Sequence, residues 1–259
     1  MKIEQALILE QNLIRGKYRV IRFKAPAIAS KVKPGQFVHV RIPGMPDALL
    51  RRPFSIYKAD KSTFSVLYKE VGKGTAVMGS LVKGAKVSII GPLGNNFPKP
   101  NKNRIPVLVA GGYGVAPLSL FASRLAAKGK IFIGGASKED ILCDQDFKKL
   151  GWDVCFATVD GSKGMKGYVT VALMDWLAKL PKSVIPEFYA CGPDGMLKAV
   201  GKLAVDGGFR AWLSLDKHMG CGVGACLACV QKVTGENGKT ILMRVCKDGP
   251  IFDAAKIVW

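Results

Sequence analysis

Four cysteines near the C-terminus restrict this chain more than any other feature. Cys221, Cys226 and Cys229 stand in C-x4-C-x2-C order, and Cys246 follows after sixteen residues, beyond a stretch that reads as a hairpin. This is the spacing of plant-type two-iron clusters. Thiolates are soft, charged donors that suit iron, and a loop of successive residues lets backbone amides face the sulfurs and offset the cluster's negative charge. Gly220, Gly222 and Gly224 supply the backbone freedom for that close approach. Structural zinc is the alternative for four thiols, but zinc knuckles usually pair one C-x2-4-C with a second, and here the fourth cysteine stands alone. The spacing predicts a 2Fe-2S cluster. A Rieske site needs two histidines; His39 and His218 are the only two in the chain, and both are read as non-ligands. Cys143, Cys155 and Cys191 are isolated in apolar segments and read as small buried hydrophobes, Cys191 being set apart by the motif it opens.

The length of 259 residues suggests two domains, or two with a small appendage. From Lys2 to about Asn103 the pattern is short β-rich runs: EQALILE, KYRVIRFKA, GQFVHVRI, RPFSIY, TFSVLY and AKVSIIG, punctuated by Pro34-Gly35 and Pro43-Gly44. They predict an antiparallel barrel over 1–103, with the Pro/Asn/Lys-rich stretch from Pro92 to Asn103 as a linker. Beyond it the period changes. IPVLVA (105–110), IFIGGAS (131–137), DVCFATV (153–159) and EFYACG (187–192) are buried-strand candidates that alternate with helical segments after Pro117 and around 139–150, 169–180 and 194–206. Such alternation predicts a doubly wound parallel sheet over 104–212. A small cluster module over 213–259, with its hairpin turning through Gly235–Gly238, completes a multi-domain β and α/β architecture. The uncharged stretch from Ile105 to Ser123 is broken by Pro106, Gly111, Gly112, Gly114 and Pro117, so it reads as strand, turn and helix rather than a membrane span. The first residues, MKIEQALILE, lack the marks of a secretory signal, and the chain reads as cytoplasmic.

Three glycine-bearing turns suggest phosphate binding. Gly111-Gly112-Tyr113-Gly114-Val115-Ala116-Pro117 follows a predicted strand and opens a helix, where amides and the helix dipole receive a pyrophosphate. It departs from G-x-G-x-x-G, with Pro117 in place of the third glycine. Cys191-Gly192-Pro193-Asp194-Gly195-Met196 ends another strand, so both loops emerge at the carboxyl edge of the sheet and define a crevice there. In the first domain, Arg51-Arg52-Pro53-Phe54-Ser55-Ile56 sets a fixed cation beside a rigid proline and a hydroxyl, a clamp for a diphosphate and an isoalloxazine edge. Gly72-Lys73-Gly74-Thr75 precedes a helix expected over 75–82, and its amides and the Thr75 hydroxyl offer a phosphate cradle.

The order RPFS, GKGT, GGYGVAP, CGPDGM and then the cysteines resembles the ferredoxin-reductase-like flavoproteins along nearly the whole chain. The segments MGCGVGACLACV and RVCKDGPIF are most similar to the electron-transfer subunits of class 1B dihydroorotate dehydrogenase. In some related subunits an Asp replaces the first cysteine, whereas Cys221 is present here. The resemblance implies FAD between the two larger domains, against Arg52, Pro53, Phe54 and Ser55, with Leu67, Tyr68 and Lys69 on the neighbouring strand and Gly74 and Thr75 at the diphosphate. It implies NAD(H) against Gly111, Gly112, Gly114 and Pro117 and the loop of Cys191, Gly192 and Pro193, and the 2Fe-2S cluster on Cys221, Cys226, Cys229 and Cys246. No acid or base constellation is evident, and hydride transfer needs only aligned rings. The segment Ser137-Lys138-Glu139-Asp140 offers both a cation for a 2'-phosphate and acids for a ribose diol, and the resemblance favours NAD. It further implies a partner, an FMN-containing catalytic subunit that oxidises dihydroorotate in pyrimidine biosynthesis, in a complex of two copies of each.

The net charge is +20, of which +14 falls within residues 1–103. Solvation, an acidic partner and nucleic acid are three readings of that excess. The basic residues are scattered along strands rather than clustered with aromatics, and no helix-turn-helix or zinc-finger spacing occurs, which speaks against nucleic acid. Two rival functions remain at the level of sequence: the electron-transfer subunit of another NAD(P)H:acceptor oxidoreductase, and a basic zinc-bearing nucleic-acid module.

Overall fold

The structure, a computed structural model, describes residues 1–45 and 49–259. The first part of the chain comprises β1 (Lys2–Arg15), β2 (Tyr18–Lys24), α1 (Pro26–Ala29), β3 (Phe37–Val40), β4 (Arg52–Ala59), β5 (Thr63–Lys69), α2 (Lys73–Gly79) and β6 (Lys86–Leu93). Among the described residues the six strands close a barrel in the order β1-β2-β5-β4-β3-β6, every neighbouring pair antiparallel. Alternation fills it: Ile21 and Phe23, Val38 and Val40, Phe64 and Val66, and Val87 and Ile89 point inward and are buried. Each such side chain contributes about 2 kcal/mol of hydrophobic stabilisation. Strand β1 runs well past the alternating segment EQALILE because it has two partners, β6 along Lys2–Leu7 and β2 along Leu7–Arg15. Its second half lies largely at the surface, so no hydrophobic alternation marks it.

On β3 the residues of the other face, Phe37 and His39, are also buried, because the cluster module covers this side of the barrel. A barrel strand that is buried at every position therefore signals a second layer outside it.

The next part comprises β7 (Ile105–Gly111), α3 (Val115–Arg124), β8 (Lys130–Gly135), α4 (Asp144–Lys149), β9 (Asp153–Thr158), β10 (Met165–Lys166), α5 (Val169–Ala178), β11 (Pro186–Cys191), α6 (Asp194–Asp206) and β12 (Arg210–Ser214). The sheet order is β10-β9-β8-β7-β11-β12, all parallel. Helices α5 and α6 cover one face through Ala172, Leu173, Leu197 and Val200; α3 and α4 cover the other through Leu118, Phe121 and Phe147. The sheet is thus doubly wound, with its topological switch between β7 and β11. The helical segment expected over 139–150 is shorter, a 3-10 turn at Lys138–Asp140 followed by α4. Ile141 and Leu142 are buried between the two, and Cys143 stands at φ +58°, which interrupts the helix.

Beyond β12 the chain leaves the sheet, forms the cysteine loop, and pairs β13 (Val230–Thr234) with β14 (Thr240–Arg244) in a hairpin. It returns as β15 (Ile251–Asp253), antiparallel at the edge beside β12, so this last segment is built into the nucleotide sheet. The stretch read as a linker also packs. Asn95 Nδ2 donates to the carbonyls of Asp248 (3.1 Å) and Ile251 (2.9 Å), its Oδ1 accepts from the Ile251 amide at 3.0 Å, and Phe97 is buried against Phe121 and Tyr189. These partners lie far away in sequence, which is why local composition reads as loop.

Barrel and sheet are held together at Asp140. Its Oδ1 accepts from the Tyr18 hydroxyl at 2.6 Å and from Lys69 Nζ at 3.1 Å. Arg15 donates to the Lys138 and Ile141 carbonyls at 2.9 and 3.0 Å, and Tyr57 and Lys58 both reach Asp146. Burial works to raise the Asp140 carboxyl, but the Tyr18 and Lys69 bonds outweigh it and hold the group below the usual carboxylate range. A depressed folded pKa contributes stability that is present above the ordinary value near 4 and lost as pH falls through the folded one. Asp140→Asn is therefore expected to cost about 1 kcal/mol at neutral pH and less under acid. Denaturant melts at pH 7 and pH 3 check this; an equal cost at both would contradict it.

Candidate functional site

A cavity of about 1470 Å³ opens between barrel and sheet at the switch point. One wall is the barrel. Arg52, Pro53, Phe54 and Ser55 on β4 line it together with Leu67, Tyr68 and Lys69 on β5 and Gly74 and Thr75 at the start of α2. Registry explains the grouping, since β4 and β5 are neighbouring antiparallel strands and α2 follows directly from the end of β5. The two arginines part company here. Arg51 turns away and donates to the Ser88 carbonyl (2.6 Å) and hydroxyl (2.9 Å), so that of the two arginines only Arg52 lines the cavity. The Thr75 hydroxyl accepts from the Val71 and Gly72 amides at 2.9 and 3.1 Å and so shapes its own turn.

The other wall is the sheet's carboxyl edge: Gly111, Gly112 and Gly114 at the end of β7 and beyond it, and Cys191, Gly192 and Pro193 at the end of β11 and beyond it. Pro117 is not on this wall; it is buried within α3, where it belongs to the helix start rather than to the pyrophosphate turn. The two loops pack so closely that a Cβ on Gly114 would strike the backbone carbonyl of Cys191 and come within 2.8 Å of the Gly192 nitrogen. Burial pushes the Cys191 thiol up to about 12, so it faces the cavity as a neutral group. Tyr18, Tyr113, Asp140 and Asp216 also line the cavity. Tyr113 lies inside the GGYG turn and Asp140 inside the segment weighed for ribose binding, but Tyr18 and Asp216 carry no motif. Burial raises the Asp216 carboxyl, and the charge of Asp194 adds to the effect.

From β12 the cavity wall continues through Ser214, Leu215, Asp216, Lys217, His218 and Met219, and two residues later the chain reaches Cys221. The cavity and the cysteine loop are thus one continuous segment. Within the loop the amides of Val223, Ala225 and Cys226 point at Cys221 Sγ from 3.4, 3.3 and 3.4 Å, and the Cys221 amide faces Cys226 Sγ at 3.4 Å. Burial works against the Cys221 thiolate, yet these amides bring the thiol down to about 6. Across the hairpin, Cys246 meets Cys229, its amide 3.4 Å from that sulfur. Arg244 braces the loop, pairing with Asp248 and donating to the Gly224 carbonyl at 3.2 Å.

The donor set fits a two-iron cluster. Among the described residues no three Cys, His, Asp or Glu side chains gather about one single-ion position. The thiols form two contacting pairs, Cys221 with Cys226 and Cys229 with Cys246, each of which can ligate one iron of a two-iron cluster. His218 is not among them. No helix among the described residues is long and apolar enough to cross a membrane.

Two family profiles match the chain: the iron-sulfur cluster binding domain of dihydroorotate dehydrogenase B over residues 216–258, and the oxidoreductase NAD-binding domain over residues 108–202. The chain is 36% identical to the dihydroorotate dehydrogenase B (NAD(+)) electron transfer subunit of Desulforamulus reducens, covering 100% of this chain and 99% of that one. It is 38% identical to the subunit of the same name from Enterococcus faecalis, covering 99% and 98%. Among solved structures it superposes on the NADH-dependent reduced ferredoxin-NADP oxidoreductase with a TM-score of 0.83 and 29% identity, over 99% of this chain and 90% of that one. Ferredoxin reductase of carbazole 1,9a-dioxygenase, at 18% identity and a TM-score of 0.68 over 80% of this chain and 66% of that one, shares the fold. Similarity at this level along its entire length means that the chain belongs to the family of dihydroorotate dehydrogenase B electron-transfer subunits.

Proposed function

We propose that this chain passes electrons between a catalytic subunit that oxidises dihydroorotate and NAD+, using a 2Fe-2S cluster and FAD, in pyrimidine biosynthesis in the cytoplasm. The observation that carries this reading is the continuity of the site: one cavity is walled by the flavin strands and the nucleotide loops, and its last wall segment runs into the cysteine loop. A flavin, when bound, supplies the conversion between the two-electron hydride of nicotinamide and the one-electron chemistry of iron-sulfur clusters. The chain's own residues position. Arg52 offers a fixed cation to the FAD diphosphate, Pro53–Ser55 and Leu67–Lys69 wall the ring, and the glycine turns at Gly111–Gly114 and Gly192 admit the NAD backbone. The neutral Cys191 thiol lines the cavity beside the two glycine turns.

The partner carries FMN, and the assembly holds two copies of each subunit. It docks over the exposed Cys226, because electrons must leave where the cluster comes nearest the surface. Leu227 and Leu242, 60% and 63% exposed, lie beside it around a shallow pocket that also includes Val230 and Arg244. Exposed leucines next to an electron exit suit burial by a partner. Leu242→Glu is expected to weaken that complex about tenfold or more, which corresponds to about 1.4 kcal/mol, while the visible spectrum of the isolated chain stays unchanged. Titration of the partner by calorimetry checks this, and unaltered affinity would place the interface elsewhere.

The reading as a whole is tested by isolating the chain from its own cytosol with whatever accompanies it and assaying dihydroorotate-driven reduction of NAD+. That activity, with an FMN subunit present, is the expected result. A flavin and iron-sulfur complex lacking it would make the partner another oxidoreductase, a reading that the similarity to a ferredoxin-NADP oxidoreductase keeps in view.

A further inference from the structure

His39 lies on β3 directly opposite Pro53 of β4, the strand that walls the flavin side of the cavity. Its side chain points out of the barrel on the same face as Phe37, whose ring meets it edge-on at 5.8 Å. The residue is fully buried, and among the described residues neither Nδ1 nor Nε2 has a hydrogen-bond partner. Burying an imidazole in that state costs about 1–3 kcal/mol for the unmade bond, and a leucine or phenylalanine there would avoid the cost. The face of the ring packs against the cysteine loop. A Cβ on Gly222 would fall 2.5 Å from Cε1, 2.6 Å from Nδ1 and 2.7 Å from Nε2, so only glycine, here at φ +71°, lets the loop between Cys221 and Cys226 rest on this ring. Burial and the charges of Arg51 and Arg52 lower the imidazole to about 4. It is therefore neutral at ordinary pH and carries one N–H donor.

We propose that His39 is a positioning residue of the iron-sulfur centre, its ring N–H donating to a sulfur of the bound cluster and thereby raising the cluster's reduction potential. This rests on the assignment of a 2Fe-2S cluster to the four cysteines. The acceptor that the described residues do not supply is the sulfur-rich group that the loop around Gly222 is shaped to hold. A hydrogen bond to sulfur stabilises the more negative, reduced cluster, which is one of the levers a protein has on such potentials. Placed between Pro53 and Gly222, the same ring joins the flavin wall to the cluster loop.

Two measurements on the holoprotein test the proposal. In a potentiometric titration followed by electron paramagnetic resonance, His39→Leu is expected to retain the cluster signal and shift its reduction equilibrium about tenfold towards the oxidised form, equal to 59 mV for one electron. His39→Gln, which keeps an N–H donor, is expected to recover part of the shift. A His39→Leu cluster within about twofold of the unmodified equilibrium would overturn the proposal. Should His39→Leu fail to hold a cluster, the unmodified protein decides: with histidine rings labelled with nitrogen-15, the reduced cluster should show a weak nitrogen coupling that persists in His218→Gln. Only two histidines exist, so such a coupling belongs to His39, and its absence would overturn the proposal. If iron analysis shows no cluster in the unmodified protein at all, it is the reading of the cysteines that fails.

Discussion

Replacing Cys226 with serine is expected to abolish the iron-sulfur centre and leave the flavin in place. Iron and acid-labile sulfide should fall from about two each per chain to near zero, because Cys226 is one half of the pair that shares the amide-lined loop with Cys221. The fold should survive. The module's anchors, β15 beside β12 and the Asn95 side chain on Asp248 and Ile251, are independent of the cysteines. The cavity is lined by none of the four cluster cysteines, so FAD should remain stoichiometric. NADH-driven reduction of a small dye, which needs only the cavity, should persist, while dihydroorotate-driven reduction of NAD+ should drop by at least about a hundredfold. Metal analysis with a visible spectrum checks the first part and paired assays the second. A full complement of iron in Cys226→Ser would remove Cys226 from the ligand set.

Gly114→Ala is expected to produce the second large effect, at the other end of the relay. A methyl group there meets the Cys191 carbonyl and the Gly192 nitrogen, both backbone atoms that no rotamer change moves aside. The two loops flank the sheet's switch point, where they must emerge side by side to receive one nucleotide. Forcing them apart should cost about 2–3 kcal/mol of stability and weaken NADH binding about tenfold or more. The FAD content should change little, since the flavin wall belongs to the barrel. Denaturant unfolding and anaerobic NADH titration measure both effects; wild-type stability together with wild-type NADH affinity would show that the loops have room to spare.

What the sequence reveals and what it hides divide along a physical line. Short-range chemistry is legible. The C-x4-C-x2-C loop, the GGYG turn and the CGPDG turn lie where backbone and ligand must meet, and local spacing states the requirement directly. Strand periodicity likewise gives the barrel and the parallel sheet, because Val38 and Val40 or Ile21 and Phe23 alternate towards one core. Hidden are contacts made between segments distant in the chain. Asn95 in an apparent linker supports Ile251, β15 completes the nucleotide sheet, and Tyr18 joins Asp140 across the cavity, none of which has a local pattern. Pro117 shows the reverse: it lies in a ligand motif by position but serves the start of a buried helix. His39, an ordinary barrel residue in sequence, gains its interest only when Gly222 is found against it.

The charge follows the same division. Lys69 and Lys58 are bound into the contacts between barrel and sheet through Asp140 and Asp146, and Arg19 and Arg51 are held within the barrel by Glu70 and Ser88. Part of the basic excess is thus structural, and its sum alone does not identify a partner.

The central claim is that this chain relays electrons between NAD(H) and the cluster through FAD, and anaerobic titration of the isolated chain with NADH, which runs the relay in reverse, tests it most directly. The account predicts that the flavin absorption bleaches and that the reduced cluster's paramagnetic signal grows in with it. A fully bleached flavin beside a cluster that stays oxidised would contradict the relay.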